Sequence, residues 1–208
     1  MNKPYYQDDY VTLYNCNNKL FDMVFYDILI TDPPYGINYQ SSWRKNSHIP
    51  IYGDDEYPVS YLTDCIKKAN RASYIFGNYG TLHLMPKPKS VICWVKEQHG
   101  MGDLKHSHAQ RHEIIKFYAG LHHKFIKRPT DVAFFDRTNN NLHPTQKPVS
   151  LIEWIISHNT GHIIFDPYSG SGSTLVAAKK MGRKAIGIEI EEKYCEIAAK
   201  RLEQGVLF

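Results

Sequence analysis

The chain has 208 residues, of which 42% are hydrophobic and 22% charged, a composition typical of one globular domain. It has no apolar run near the roughly 18 to 20 residues of a membrane span and no secretory signal pattern, so we expect a soluble cytosolic protein. Four widely spaced cysteines exclude the usual disulfide and zinc patterns, and the net charge of +4 is weak evidence for a polyanionic partner.

Short apolar runs predict strands that alternate with helical repeats. The predicted strands span residues 26–31, 73–76, 91–95, 114–118, 162–165 and 185–188. Apolar residues three and four positions apart predict helices near Val59, Leu151 and Tyr194. This alternation is typical of an α/β fold with a mostly parallel, twisted sheet and helices on both faces.

A rigid turn follows the first of these strands. Its sequence, Asp32-Pro33-Pro34-Tyr35-Gly36, combines a carboxylate, two residues of fixed φ and an aromatic ring. The Asp32 carboxylate and the Pro33 carbonyl are two acceptors that suit an NH₂ group, and stacking of a base on Tyr35 contributes roughly 1 to 3 kcal/mol. The alternative is a proline-rich turn in which Tyr35 is ordinary packing.

The basic residues are unevenly distributed. Between Lys96 and Arg128 there are seven Lys or Arg against three Asp or Glu, so this segment alone accounts for the net charge of +4. Such a segment is consistent with a nucleic-acid surface. A solvated surface loop explains the same charge.

The C-terminal third predicts a mononucleotide-binding βαβ unit. Gly170 and Gly172 allow a tight turn after the strand that ends near Asp166. Glu189, 23 residues after Asp166, ends the next strand, where a carboxylate can accept hydrogen bonds from two ribose hydroxyls. Leu175 replaces the third glycine of the dinucleotide pattern, so a nucleoside is favoured over a dinucleotide. A purely structural turn is the alternative.

Taken together, these motifs resemble the S-adenosylmethionine-dependent DNA amino-methyltransferases. The resemblance also includes Trp94, Lys96 and the sequence HPTQKPVSLIEWII, and extends from about Val11 to Leu202. Because DPPY precedes the Gly-rich turn, the order resembles the permuted class. The family implies a Rossmann-like methyltransferase fold, a single catalytic domain over residues 1–208, the cofactor S-adenosyl-L-methionine, no metal, and a prokaryotic or phage-infected cytoplasm.

The resemblance also implies a site. The implied catalytic residues are Asp32, Pro33, Pro34 and Tyr35. The implied cofactor-binding residues are Asn15, Asp32, Thr145, Lys147, Asp166, Tyr168, Gly170, Ser171, Gly172, Ser173 and Glu189. Within this set the Gly-rich turn would hold the methionine part, Glu189 the ribose, and Lys147 the methionine carboxylate, although an exposed loop lysine is the alternative for Lys147. Asn15 stands where relatives have an acid that faces adenine.

DNA contacts are expected in two candidate insertions, at about 38–54 and 96–128. The candidate DNA-binding residues are Trp43, Arg44, Lys45, Lys96, Lys105, Arg111 and Lys124. The expected activity is methyl transfer to N6 of an adenine flipped out of duplex DNA. Cytosine N4 and RNA bases are alternative substrates, and an NAD-dependent oxidoreductase and a catalytically inactive nucleic-acid-binding module are alternative classes. A companion restriction endonuclease and a homodimer stay open.

Overall fold

The computed structural model describes residues 3–22, 24–36, 56–97, 105–106, 108–137 and 146–204. The expectations for the loop at 38–54, with Trp43, Arg44 and Lys45, and for Thr145 lie outside these residues. No helix within the described ranges is long and apolar enough to cross a membrane.

The described residues form one nine-stranded sheet. Its strands are β1 (Tyr6–Gln7), β2 (Val11–Asn15), β3 (Ile28–Thr31), β4 (Ala72–Gly77), β5 (Ser90–Val95), β6 (His112–Ala119), β7 (Val132–Phe134), β8 (Ile163–Asp166) and β9 (Lys184–Glu189). The order across the sheet is β1-β2-β9-β8-β3-β4-β6-β5-β7. Among the described strands, β1 and β6 are antiparallel to the others, which all run in the same direction.

Helices cover both faces of the sheet. They are α1 (Val59–Lys68), α2 (Tyr79–Leu82), α3 (Val149–Ser157), α4 (Ser173–Lys180) and α5 (Glu192–Glu203), with a short 3-10 helix at Asn18–Leu20. One core cluster packs α3, α4 and α5 against the sheet, and a second packs α1 against the opposite face. Because β3 is covered on both sides, all four of its residues are buried, which explains its continuous apolar sequence.

The α/β architecture with helices on both faces is confirmed, and each predicted strand forms. The sequence prediction missed three strands, β1, β2 and β7, and the short helix α2. It also did not predict that β6 runs antiparallel to its neighbours. The segment 96–128 was expected to be an insertion, but it contains β6, which lies between β4 and β5 in the sheet. The carboxyl ends of β3, β4, β8 and β9 meet at one edge of the sheet, and the reversed β6 begins at that same edge.

Candidate active site

A cavity of about 1100 Å³ opens at this edge of the sheet. Its walls include the turn after β3, with Asp32 and Tyr35, and the Gly-rich turn after β8, with Asp166 and Gly170. Glu189, at the end of β9, also lines it. The two motifs that the sequence separates by more than 130 positions therefore share one cavity.

Both carboxylate oxygens of Asp32 have partners. The Tyr35 hydroxyl donates to Oδ1 at 2.7 Å, and the Lys147 ammonium donates to Oδ2 at 2.6 Å. Burial raises the pKa of the Asp32 carboxyl above its usual value, and the Lys147 charge offsets part of this effect. Gly36 closes the turn with φ of +70°, and a Cβ there would lie 2.9 Å from the Tyr57 amide nitrogen. Asp32 is thus held in a fixed, charged environment.

Lys147 lies in the catalytic half of the cavity and is buried. Its ammonium is 2.6 Å from Asp32 Oδ2 and 3.4 Å from Glu113 Oε2, and it sits 5.4 Å from the centre of the Phe76 ring. Burial lowers the pKa of Lys147, but the two carboxylates outweigh it and hold the pKa above its usual value. The exposed-loop alternative for Lys147 is therefore wrong, and its expected contact with a cofactor carboxylate stays a prediction.

Glu113, at the start of β6, is a site residue that the sequence reasoning missed. It lines the cavity and forms ion pairs with Lys96 and Lys147. These two ammonium groups hold the pKa of Glu113 below its usual value although burial acts to raise it. The only local signal was a charged residue beginning an apolar run, which is common at strand ends. Its role depends on β6 being reversed.

The expectation that Lys96 contacts DNA is wrong, because Lys96 is buried. Its residue surface is 2% exposed, and its ammonium pairs with Glu113 inside the protein. Lys116, which also contributed to the basic count of this segment, is fully buried and donates hydrogen bonds to Tyr57 and Thr81. A charge count along the sequence cannot distinguish such lysines from surface lysines.

Arg111 and Lys124 lie at opposite ends of the sheet. Lys105 and Arg111 precede β6 in the chain, and Arg111 adjoins the start of this strand, where Gln110 and Glu113 line the cavity. Lys124 follows β6, and its neighbour His122 donates a backbone hydrogen bond to Asn70, at the amino end of β4. All three basic side chains are exposed. The segment is therefore two basic regions rather than one surface.

Asp166 anchors the Gly-rich turn from inside. Its Oδ1 accepts hydrogen bonds from the Thr31 hydroxyl at 2.8 Å and from the Tyr168 amide at 3.1 Å. Burial raises the pKa of this carboxyl to about 6, although its hydrogen bonds act to lower it. Asp166 also lines the cavity, so a buried carboxyl faces the region expected to hold a cofactor.

The turn itself requires glycine and is held by a distant arginine. Gly172 has φ of +79°, and a Cβ there would lie 2.8 Å from the Ala198 Cβ on α5. Arg201, also on α5, donates to the carbonyl and hydroxyl of Ser171 and to the Ser173 hydroxyl at 3.4 Å. Arg201 was not identified from the sequence, because its contact with the turn depends on the packing of α5.

Glu189 is oriented by backbone amides. Its Oε2 accepts a hydrogen bond from the Gly170 amide at 2.8 Å, and its Oε1 from the Glu191 amide at 2.9 Å. Asn15, at the end of β2, donates its side-chain amide to the carbonyls of Glu189 and Ile190. The structure thus gives Asn15 an exposed position that supports this loop, while its neighbour Cys16 lines the cavity.

Comparison with known proteins identifies a matching family model and similar curated proteins. Residues 127–200 match the sequence model of a family described as DNA methylase. Type II methyltransferase M2.LlaDCHI of Lactococcus lactis subsp. cremoris is 26% identical over 265 aligned positions, which cover all of this chain and 95% of that protein. Type II methyltransferase M2.DpnII of Streptococcus pneumoniae is 56% identical over 63 residues, which cover 29% of this chain and 24% of that protein.

A solved structure shares the fold. The crystal structure of M1.HpyAVI superimposes with a TM-score of 0.70 at 23% identity, over 92% of this chain and 98% of that one. This likeness and the mixed sheet confirm the Rossmann-like methyltransferase fold expected from the motifs. The sequence matches confirm the resemblance on which that expectation rested.

Proposed function

We infer that this chain, a relative of the DNA amino-methyltransferases, transfers a methyl group from S-adenosyl-L-methionine to an exocyclic amino group of a base in DNA. The observation that carries this proposal is the single cavity shared by Asp32 and Tyr35, the Gly-rich turn, and Glu189. Relatives described as Type II methyltransferases match along the chain and support the same activity.

The residues present fit the proposed cofactor. Gly170 and Gly172 adopt positive φ. Gly170 lines the cavity, and a side chain at the buried Gly172 would strike Ala198. Glu189 offers a carboxylate to ribose hydroxyls, and Asp166 offers a second to the cationic part of the ligand. Ser171, Ser173 and Tyr168 complete the turn. S-adenosyl-L-methionine, when bound, supplies an electrophilic methyl group.

The turn from Asp32 to Tyr35 offers hydrogen-bond acceptors and a stacking surface to the base that is methylated. An exocyclic amino group is a poor nucleophile because its lone pair is conjugated with the ring. Hydrogen bonds from its two N–H groups to Asp32 and to the Pro33 carbonyl favour a pyramidal nitrogen, and Pro33 and Pro34 keep these acceptors fixed. Tyr35 offers a ring for stacking, which offsets part of the cost of moving the base out of the duplex.

We propose adenine N6 as the methylated atom. The support is the resemblance of Asp32-Pro33-Pro34-Tyr35 to adenine-specific members of the family. The substrate is therefore a flipped adenine in cytoplasmic DNA of a prokaryotic or phage-infected cell. The permuted order of motifs, a companion restriction endonuclease and a homodimer remain proposals of the same kind.

The experiment is expression of the chain in a host that lacks DNA methyltransferases, followed by mass spectrometry of the nucleosides from its DNA and RNA. N6-methyladenine in DNA is the expected product. N4-methylcytosine in DNA would support amino-group methylation but refute adenine as the methylated base. Methylation confined to RNA would refute DNA as the substrate. Sequencing of the modified positions gives the target for a synthetic duplex.

A matched variant tests the catalytic assignment. Asp32→Asn keeps the size of the side chain, so we expect calorimetry to show S-adenosylmethionine affinity within about threefold of wild type, with turnover lowered by about 10² or more. Near-normal turnover would remove Asp32 from the mechanism. Calorimetry with NAD in place of S-adenosylmethionine tests the oxidoreductase alternative, for which binding of NAD alone is the required result.

A further inference from the structure

The position of Lys147 conflicts with the task proposed for Asp32. The Lys147 ammonium donates to Asp32 Oδ2 at 2.6 Å, while the Tyr35 hydroxyl occupies Oδ1 at 2.7 Å. The amino group of the base must donate a hydrogen bond to Asp32, and it gains positive charge as its nitrogen attacks the methyl group. An ammonium on the same carboxylate oxygen opposes that charge, so productive binding requires Lys147 to leave Oδ2.

Glu113 offers Lys147 a second carboxylate nearby. Its Oε2 is 3.4 Å from the Lys147 nitrogen, while the other oxygen, Oε1, is held by Lys96. Oε2 is buried, and no described group donates a hydrogen bond to it. A buried carboxylate oxygen without a hydrogen-bond donor is costly, and use of this oxygen in another state of the site would explain why it is kept.

The geometry allows the exchange without a large movement. Lys147 lies between the two carboxylates, and the Phe76 ring is 5.4 Å from its ammonium. The two N–O distances, 2.6 Å and 3.4 Å, differ by less than 1 Å. A movement of the ammonium by about 1 Å, with a small rotation, therefore converts the Glu113 contact into a charge-assisted hydrogen bond. The ammonium remains paired throughout, so no buried charge is left alone.

We infer that Glu113 is a positioning residue that receives the Lys147 ammonium when the amino group of the substrate base binds Asp32. This inference rests on the proposed function and identifies how the same site is released for its substrate. Lys96 fixes Glu113 from the other side and thereby keeps Oε2 directed toward Lys147. The reversed direction of β6 is what brings Glu113 to the cavity edge.

The test removes the Glu113 charge at constant size. Glu113→Gln weakens the second position for Lys147, so we expect kcat on the target duplex to fall by about 10² and S-adenosylhomocysteine affinity, measured by calorimetry, to stay within about threefold of wild type. Glu113→Asp keeps the charge and should recover at least about tenfold in kcat. Glu153→Gln, which removes a carboxylate paired with Lys180 outside the cavity, is the matched control and should leave both quantities unchanged.

A double variant separates action through Lys147 from direct contact with the base. In a Lys147→Met background, Glu113→Gln should lower kcat by less than about threefold further, because there is no ammonium to receive. An equal loss in both backgrounds, an unchanged kcat for Glu113→Gln, or no recovery in Glu113→Asp would overturn the inference. Loss of S-adenosylhomocysteine binding in Glu113→Gln would also overturn it, because a structural role then suffices. Absence of DNA methylation by the wild-type protein would instead refute the proposed function, and the inference with it.

Discussion

Asp166 carries a buried carboxyl that faces the region proposed to hold the cofactor. Burial raises the pKa of this group to about 6, so the empty protein keeps the proton over a range in which a free aspartate has lost it. A cationic ligand in the cavity favours the ionised form. Binding of S-adenosylmethionine should therefore release a proton below about pH 6.

The first prediction follows from this release of a proton on binding. S-adenosylmethionine affinity should rise by about tenfold as the pH is raised from 5 to 7, since the proton must be removed at the lower pH. Calorimetry at the two pH values measures it. Asp166→Asn, which keeps the size of the side chain, should lose the dependence. A variant that retains the full tenfold change would assign the pH effect to another group.

The second prediction concerns Glu189. Its two oxygens already accept hydrogen bonds from the Gly170 and Glu191 amides, so Glu189→Gln places an NH₂ group against a backbone donor and removes the charge. We expect cofactor binding to weaken by about 2 kcal/mol, roughly 30-fold. Calorimetry measures the change. Glu192→Gln, on the exposed first turn of α5, is the control and should bind normally, whereas an equal loss in both variants would argue for a general charge effect.

At the scale of elements, α5 supports the Gly-rich turn from outside the cavity. Arg201 donates to Ser171 and Ser173, and Ala198 packs against Gly172. The turn is therefore positioned by a helix that follows it in the chain by about 20 residues. The precision of the turn depends on this packing as well as on its glycines.

The third prediction tests that support. Arg201→Met keeps the length of the side chain but removes the donors, so we expect S-adenosylmethionine affinity to fall by about tenfold, corresponding to about 1 to 2 kcal/mol. DNA affinity should be unchanged. Lys200→Met is the matched control, because Lys200 is exposed and pairs with Glu196 at the surface. Normal cofactor binding by Arg201→Met would mean that the turn holds its shape without α5.

The elements that the sequence predicts well are those with a local cause. Continuous apolar runs identify β3 and β8 because strands covered on both faces bury nearly all of their residues. The helical repeat identifies α1 because one face packs on the sheet. The DPPY and Gly-rich turns follow such strands directly. Hence Asp32, Asp166 and Glu189 could all be placed at one edge of the sheet from sequence alone.

The elements and residues that were missed depend on distant partners. β2 contains Tyr14 and Asn15 and is stabilised as a strand by pairing with β9 about 170 positions later. The reversal of β6, which brings Glu113 to the cavity, is a property of the sheet order. Burial of Lys96 likewise depends on Glu113 being close, which no local pattern indicates.

At the scale of the whole molecule, the positive charge is divided between two ends of the sheet. Lys105 and Arg111 precede β6 in the chain, with Arg111 next to the strand end at the cavity, and Lys124 and Lys127 lie beyond its other end. Eight residues of strand separate these regions, about 25 Å at roughly 3.3 Å per residue. A duplex whose base enters the cavity is therefore expected to contact the first region.

The fourth prediction uses salt dependence to locate the DNA. Each Lys or Arg that contacts phosphate contributes about −0.9 to the slope of log affinity against log salt. Replacing Lys105 and Arg111 with Gln should flatten the slope by up to about 2 units, whereas replacing Lys124 and Lys127 should leave it unchanged. Binding titrations over a range of salt measure both, with S-adenosylmethionine affinity as internal control. A flatter slope from the second pair alone would move the DNA to the opposite end.

The pairing of β2 with β9 has a consequence for synthesis of the chain on the ribosome. Asn15 leaves the exit tunnel well before Glu189, its partner 174 positions later in the chain. Until β8 has been synthesised, β3 has β4 as a neighbour but its other hydrogen-bonding edge stays open. An open apolar edge is prone to intermolecular pairing. Synthesis of residues 163–189 therefore both completes the candidate cofactor site and closes the edge through which nascent chains would aggregate.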